Sequence, residues 1–171
     1  YAQWQAPTRN ISISKTWDDD NNRDNMRPQS VQVHLLQNDV HSGKVLTLTA
    51  ANNWQGTWKD VPALDQFGNE IEYFVEEVDV EGYTHVVSGS ASSGFVLTNT
   101  HTPEVLTYEV QKIWDDDNNR DGIRPTEIEV QLYRQVGSGE KTKLYDAVKL
   151  NAANSWSYAW HNLNTYEAGQ K

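Results

Sequence analysis

The chain contains no cysteine. That excludes disulfides, thiolate chemistry and the usual structural zinc sites, so any covalent staple must be made another way. Positive charge is scarce: 14 Lys and Arg stand against 24 Asp and Glu, a formal net charge of −10. Such a balance argues against nucleic acid or an anionic membrane as partner. No apolar run approaches the roughly 20 residues of a membrane helix, and no signal peptide opens the sequence. No stretch holds a helical period over three turns. What is present is aromatic: seven Trp, eight Tyr and three Phe among 171 residues, 37% of them hydrophobic. This is enough to bury a core, and the length suits one large domain or two small ones.

The sequence repeats itself. Lys15–Pro28 reads KTWDDDNNRDNMRP and Lys112–Pro125 reads KIWDDDNNRDGIRP, identical at eleven of fourteen positions at an offset of 97. Val31-Gln-Val-His-Leu-Leu lies against Ile128-Glu-Val-Gln-Leu-Tyr at the same offset. Farther on, Ala51-Asn-Asn-Trp and Trp58 match Ala153-Asn-Ser-Trp and Trp160 at an offset of 102. The extra residues fall around Gly137-Ser-Gly-Glu-Lys, which is hairpin-turn chemistry. One whole repeat of roughly 97 residues is therefore followed by about two thirds of a second. The expected division is a linker over 1–10, a complete repeat over 11–102, a short linker over 103–107 marked by Pro103, and a second, truncated repeat over 108–171.

Each repeat reads as β. Ile11-Ser-Ile-Ser-Lys-Thr-Trp, Val31-Gln-Val-His-Leu, Ile71-Glu-Tyr-Phe-Val and Phe95-Val-Leu-Thr-Asn alternate, and Gly, Asn and Asp clusters separate them. The pattern predicts an all-β fold, one antiparallel sandwich per repeat. Side chains two apart share a strand face. Lys15 thus falls in line with Ile11, Ile13 and Trp17, Glu77 with Ile71, Tyr73 and Val75, and Asn99 with Phe95 and Leu97. Burying a lone charge costs several kcal/mol unless it is paired or neutralised. The pattern alone leaves two explanations open: each group snorkels to water or pairs ordinarily, or the three form a site.

The KxWDDDNNRDxxRP opening, the Tyr73-Phe-Val-Glu-Glu segment and the closing Leu97-Thr-Asn-Thr-His-Thr-Pro occur in the order seen in a known family. The chain resembles the B-repeat (Cna B-type) domains of Gram-positive surface adhesins and pilins, over residues 11–103 and again over 108–171. The resemblance implies tandem immunoglobulin-like sandwiches that form stalks. It also implies a spontaneous intramolecular isopeptide bond between a first-strand lysine, here Lys15, and a last-strand asparagine, here Asn99. A glutamate in the YxVxE segment, here Glu77, promotes the bond, and alternation turns its neighbour Glu76 outward. Such chemistry needs a neutral lysine as nucleophile, an amide carbonyl as electrophile, and a carboxylic acid to polarise the carbonyl and move protons. It is a single-turnover reaction without a cofactor, not enzymatic turnover. Lys112 matches Lys15, but the second repeat has no counterpart of Glu77 or Asn99, so Lys112 is expected to remain unpaired. The resemblance further implies an extracellular, wall-anchored location, neighbouring repeats as partners, and room for a host extracellular-matrix ligand bound through other domains.

Other signals are weaker. Asp117, Asn119 and Asp121, with Gly122, match the opening of a calcium loop, but Ile128 occupies the position of its bidentate Glu. The alternative is a solvated acidic turn. The pairs Trp54/Trp58 and Trp156/Trp160 have a spacing that puts both rings on one strand face, as core or as a sugar platform; core is favoured. His34, His41, His85, His101 and His161 show no HxH or HExxH spacing. The serines between Ser88 and Gly94 read as a loop without a nucleophile elbow. A competing reading makes the chain a ligand-binding module for a host matrix protein or glycan. A glycan-processing enzyme lacks a carboxylate pair.

Overall fold

The alternating apolar residues of the first repeat become strands because each buries one face and leaves the other in water. In the computed structural model, which describes residues 6–171, they run β1 Thr8–Asp18, β2 Ser30–Gln37, β3 Val40–Thr49, β4 Gln55–Pro62, β5 Tyr73–Glu77, β6 Thr84–Ser90 and β7 Gly94–Thr100. Two sheets result, ordered β4-β1-β7-β6 and β3-β2-β5. Ile11, Ile13, Val33, Leu35, Leu48, Val61 and Leu97 are all at most 2% exposed between them. Full burial of such side chains stabilises by roughly 1.5–3 kcal/mol each. Strand pairs in this unit are antiparallel with one departure: β1 and β7 run parallel.

Strand limits differ from the sequence reading in two places. β1 begins at Thr8, inside the stretch expected to be a linker; Arg9 pairs with Val61, and Asn10 Oδ1 accepts the Asp60 amide at 2.9 Å. The remaining linker residues 1–5 lie outside the described residues. Ser88–Ser90, read as loop, complete β6, whose small polar side chains suit an exposed edge strand.

The second repeat repeats the start of this plan in β8 Val105–Gln111, β9 Glu127–Val130, β10 Tyr133–Arg134, β11 Thr142–Lys143, β12 Val148–Asn151 and β13 Ser157–Asn164. They pair as β13 with β8, β12 with β9 and β10 with β11. The Gly137 segment joins β10 to β11, as its composition suggested. The chain divides into two compact units, one of residues through Asn21 with Met26–Thr102, the other of Asn22–Asn25 with Pro103–Lys171. The helical segments among the described residues are single 3-10 turns, Ala50–Asn52 and Ala152–Asn154, and no helix is long and apolar enough to cross a membrane.

Candidate functional site

Parallel pairing of β1 with β7 sets the site. Lys15 is registered with Leu97 and Trp17 with Asn99, so Lys15 and Asn99 are diagonal neighbours on the inner face. Glu77 closes β5 in the facing sheet, where it pairs with Val33, and reaches across the core. Asn99 Nδ2 donates to Glu77 Oε1 at 3.0 Å, and Lys15 Nζ lies 3.0 Å from the same oxygen. The Lys15 and Glu77 side chains and all of Asn99 are 0% exposed. The three residues singled out in the sequence thus converge on one oxygen atom. Glu76 points outward, as alternation requires, and meets His41 at 2.6 Å on the surface.

This cluster is incompletely satisfied. Lys15 Nζ sits at ion-pair distance but off the directions of a hydrogen bond, and Asn99 Oδ1 and Glu77 Oε2 have no hydrogen-bond partner. Burial pushes the Lys15 ammonium below its ordinary range; contact with Glu77 pulls the other way without offsetting it. A buried acceptor left unpaired costs about 1–3 kcal/mol, so holding these three groups together is costly. Chemically it holds an amine biased toward its neutral form, an amide, and a carboxyl group beside the amide nitrogen.

The sequence did not show how several residues gather around the trio. Trp17 stacks edge-on against Trp54 at 5.0 Å and Tyr83 at 5.1 Å, and Lys15 Nζ lies 4.2 Å over its ring. Buried Asp19 accepts two hydrogen bonds from Arg27, at 2.6 and 3.0 Å, and one from the Tyr83 hydroxyl at 2.9 Å. The acidic motif is therefore the anchor of an aromatic wall beside Lys15. The Ala-Asn-x-Trp motif completes it. Asn53 and Trp54 adopt left-handed backbone at φ 53° and 57°, which aims the Trp54 carbonyl at the Lys15 amide, 2.8 Å away. Trp54 therefore precedes β4, where Trp58 is buried; the two do not share a strand face as expected, and both serve the core. His85, inward on β6 with Val87, is registered with Asn99, and its Nδ1 is 3.4 Å from Glu77 Oε2. Its place two residues before Val87 was the available signal.

The second unit reproduces the frame without the trio. Lys112 donates its amide to Trp156 at 2.8 Å, and its Nζ sits 4.3 Å over Trp114. Nζ donates to the Ile113 carbonyl at 3.1 Å. Asp116 clasps Arg124 as Asp19 clasps Arg27, and that clasp holds its carboxyl below the usual range. Asp117 and Asp121 both turn to Arg120, at 3.0 and 3.4 Å, while Asn119 Oδ1 accepts the Arg124 amide at 3.0 Å. No group of three or more His, Cys, Asp or Glu that could hold a metal ion occurs among the described residues.

The sequence pattern of the Cna protein B-type domain matches residues 11–100 and 108–171. The chain belongs to the Cna B-type family. It is 40% identical over 169 residues to the collagen adhesin of Staphylococcus aureus, spanning 99% of this chain and 13% of that protein. A crystal structure of two B repeat units of the S. aureus collagen-binding protein superposes with a TM-score of 0.76 at 33% identity, covering 95% of this chain and 42% of that one. A single B repeat unit gives 0.51 at 38% identity, covering 96% and 82%. Both matches bear out the all-β Cna B-type sandwich reading, and the two matched segments with the two-repeat structure bear out the tandem. Cna B-type domains are structural repeats of Gram-positive adhesins, not enzymes.

Proposed function

We propose that the chain is a stalk segment of a Gram-positive cell-wall-anchored adhesin, and that its first module is clamped by an autocatalytic bond between Lys15 and Asn99. The convergence of Lys15, Glu77 and Asn99 on one buried oxygen carries this reading. Lys15 and Glu77 share one dissociable proton. With it on the carboxyl, Nζ is a nucleophile and attacks Cγ of Asn99. Nζ–Cγ forms, Glu77 passes its proton to Nδ2, Cγ–Nδ2 breaks, and ammonia leaves; Nζ returns a proton to Glu77. Atoms balance, with one ammonia lost per chain. The sandwich supplies proximity, worth an effective molarity of roughly 10⁵ M or more.

Mechanics follow from topology. β1 and β7 are parallel neighbours, so tension between the start of β1 and the end of β7 loads their contacts in shear. A Lys15–Asn99 bond would then carry the force directly and shield the 85 residues from Lys15 to Asn99. Single-molecule pulling tests the role. The first module should not extend, whereas Glu77→Ala should release the length of that loop. Extension of the wild-type module at the same force would contradict a clamped stalk, and specific binding of a host matrix protein or glycan by the isolated chain would favour the ligand-binding alternative. Its partners would be the flanking repeats of the same surface protein.

A further inference from the structure

Glu77 Oε2 has no hydrogen bond, and its one ion-pair neighbour among the described residues is His85 Nδ1 at 3.4 Å. His85 differs from the trio in one respect: its side chain is 34% exposed, whereas that of Glu77 is 0% exposed. It sits on edge strand β6, opposite Asn99. It therefore touches both the sealed site and water. We propose that His85 is a positioning residue of the Lys15–Glu77–Asn99 site, acting through Glu77, and that its charge gates bond formation. This rests on the isopeptide reading above.

The electrostatics give the sign. Lys15 and Glu77 hold one proton between them, and only the arrangement with that proton on Glu77 leaves Nζ nucleophilic. A charged His85 at 3.4 Å stabilises the Glu77 carboxylate. The proton then stays on Lys15 and the pair is inert. Neutral His85 removes this bias and lets the proton move to the carboxyl. Proton exchange within the Lys15–Glu77 pair is itself indifferent to solvent pH, so the gate must come from a third group. Histidine side chains change charge between about pH 5 and 8. Among the described residues, the charged groups that face His85 are Glu77 from β5 and, beyond it, Lys15 from β1; β7 presents Asn99, and Glu76 faces away toward His41.

The test uses the full chain, recovered unreacted from denaturant, with its full mass verified, and refolded by dilution at pH 5 to 8. Tryptophan fluorescence reports folding, and intact mass reports ammonia loss counted from the end of that change. The wild-type rate should fall roughly tenfold or more from pH 8 to pH 5, since one pKa unit of interaction is tenfold. His85→Gln, and His85→Asn as a second neutral variant, should form the bond with a rate that is flat over this range. Parallel pH profiles in wild type and in the variant that folds would overturn the gate. No ammonia loss in folded wild type at any pH would instead sink the bond itself.

Discussion

At the scale of single residues, the trio makes contrasting demands on adjacent positions. Glu77 and Glu76 are neighbours in sequence, yet one touches Asn99 in the core and the other meets His41 in water. Glu77→Ala should give a folded chain that keeps its full mass and unfolds at lower temperature. Glu76→Ala should still lose ammonia and change stability by within about 0.5 kcal/mol, as exposed substitutions do. Intact mass and thermal melts on the two variants check this, and reversed behaviour would place the strand one residue out of register. Lys15 offers a pH test. In an unbonded Asn99→Ala variant, burial holds the folded Lys15 below its ordinary range, so the unfolded chain binds more protons in the alkaline window between the two values. Stability should therefore rise with pH through that window relative to Asn99→Ala/Lys15→Met. If wild type carries the proposed bond, Lys15 Nζ is an amide nitrogen there and its contribution should vanish.

Among elements, the acidic turns are the informative comparison. Asp19 and Asp116 occupy equivalent positions and clasp equivalent arginines, but the Asp19 carboxyl is 1% exposed and that of Asp116 is 28% exposed. Asp19→Ala should cost about 1–3 kcal/mol by removing the buried acceptor of the Arg27 and Tyr83 hydrogen bonds, whereas Asp116→Ala should cost distinctly less. Denaturant melts of both variants give the comparison; equal losses would contradict the buried-anchor role. A chelator should leave the melting temperature unchanged if these turns are held by arginine, and a calcium-dependent rise would contradict that. Alternation was enough to put Lys15, Glu77 and Asn99 on inner strand faces, because period two fixes a strand's inner face wherever the strand is regular, while the family resemblance and not the pattern implied that the three form one site. It could not show the parallel β1–β7 pairing, which depends on chain path. Nor could it place Trp54, since its left-handed backbone arises from a turn stabilised by the Thr49 carbonyl, nor Tyr83, whose partner Asp19 is distant in sequence.

For the whole molecule, the two units are one plan realised to different depths. Val31 and Val33 are buried with β2 between β3 and β5, while Ile128 and Val130 on β9, paired to β12 alone among the described strands, are half-buried. The proposed covalent clamp belongs to the first unit. Closing the 85-residue loop from Lys15 to Asn99 should add about 4–5 kcal/mol by the chain-entropy relation used for disulfides. The sequence has no cysteine with which to obtain this otherwise. Intact-mass spectrometry of the folded protein, followed by peptide mapping, tests the clamp most directly. The mass should fall short of the sequence mass by one ammonia, with the loss on a branched peptide joining Lys15 to Asn99. An unmodified mass throughout a folded sample, or a second ammonia lost through Lys112, would contradict the account.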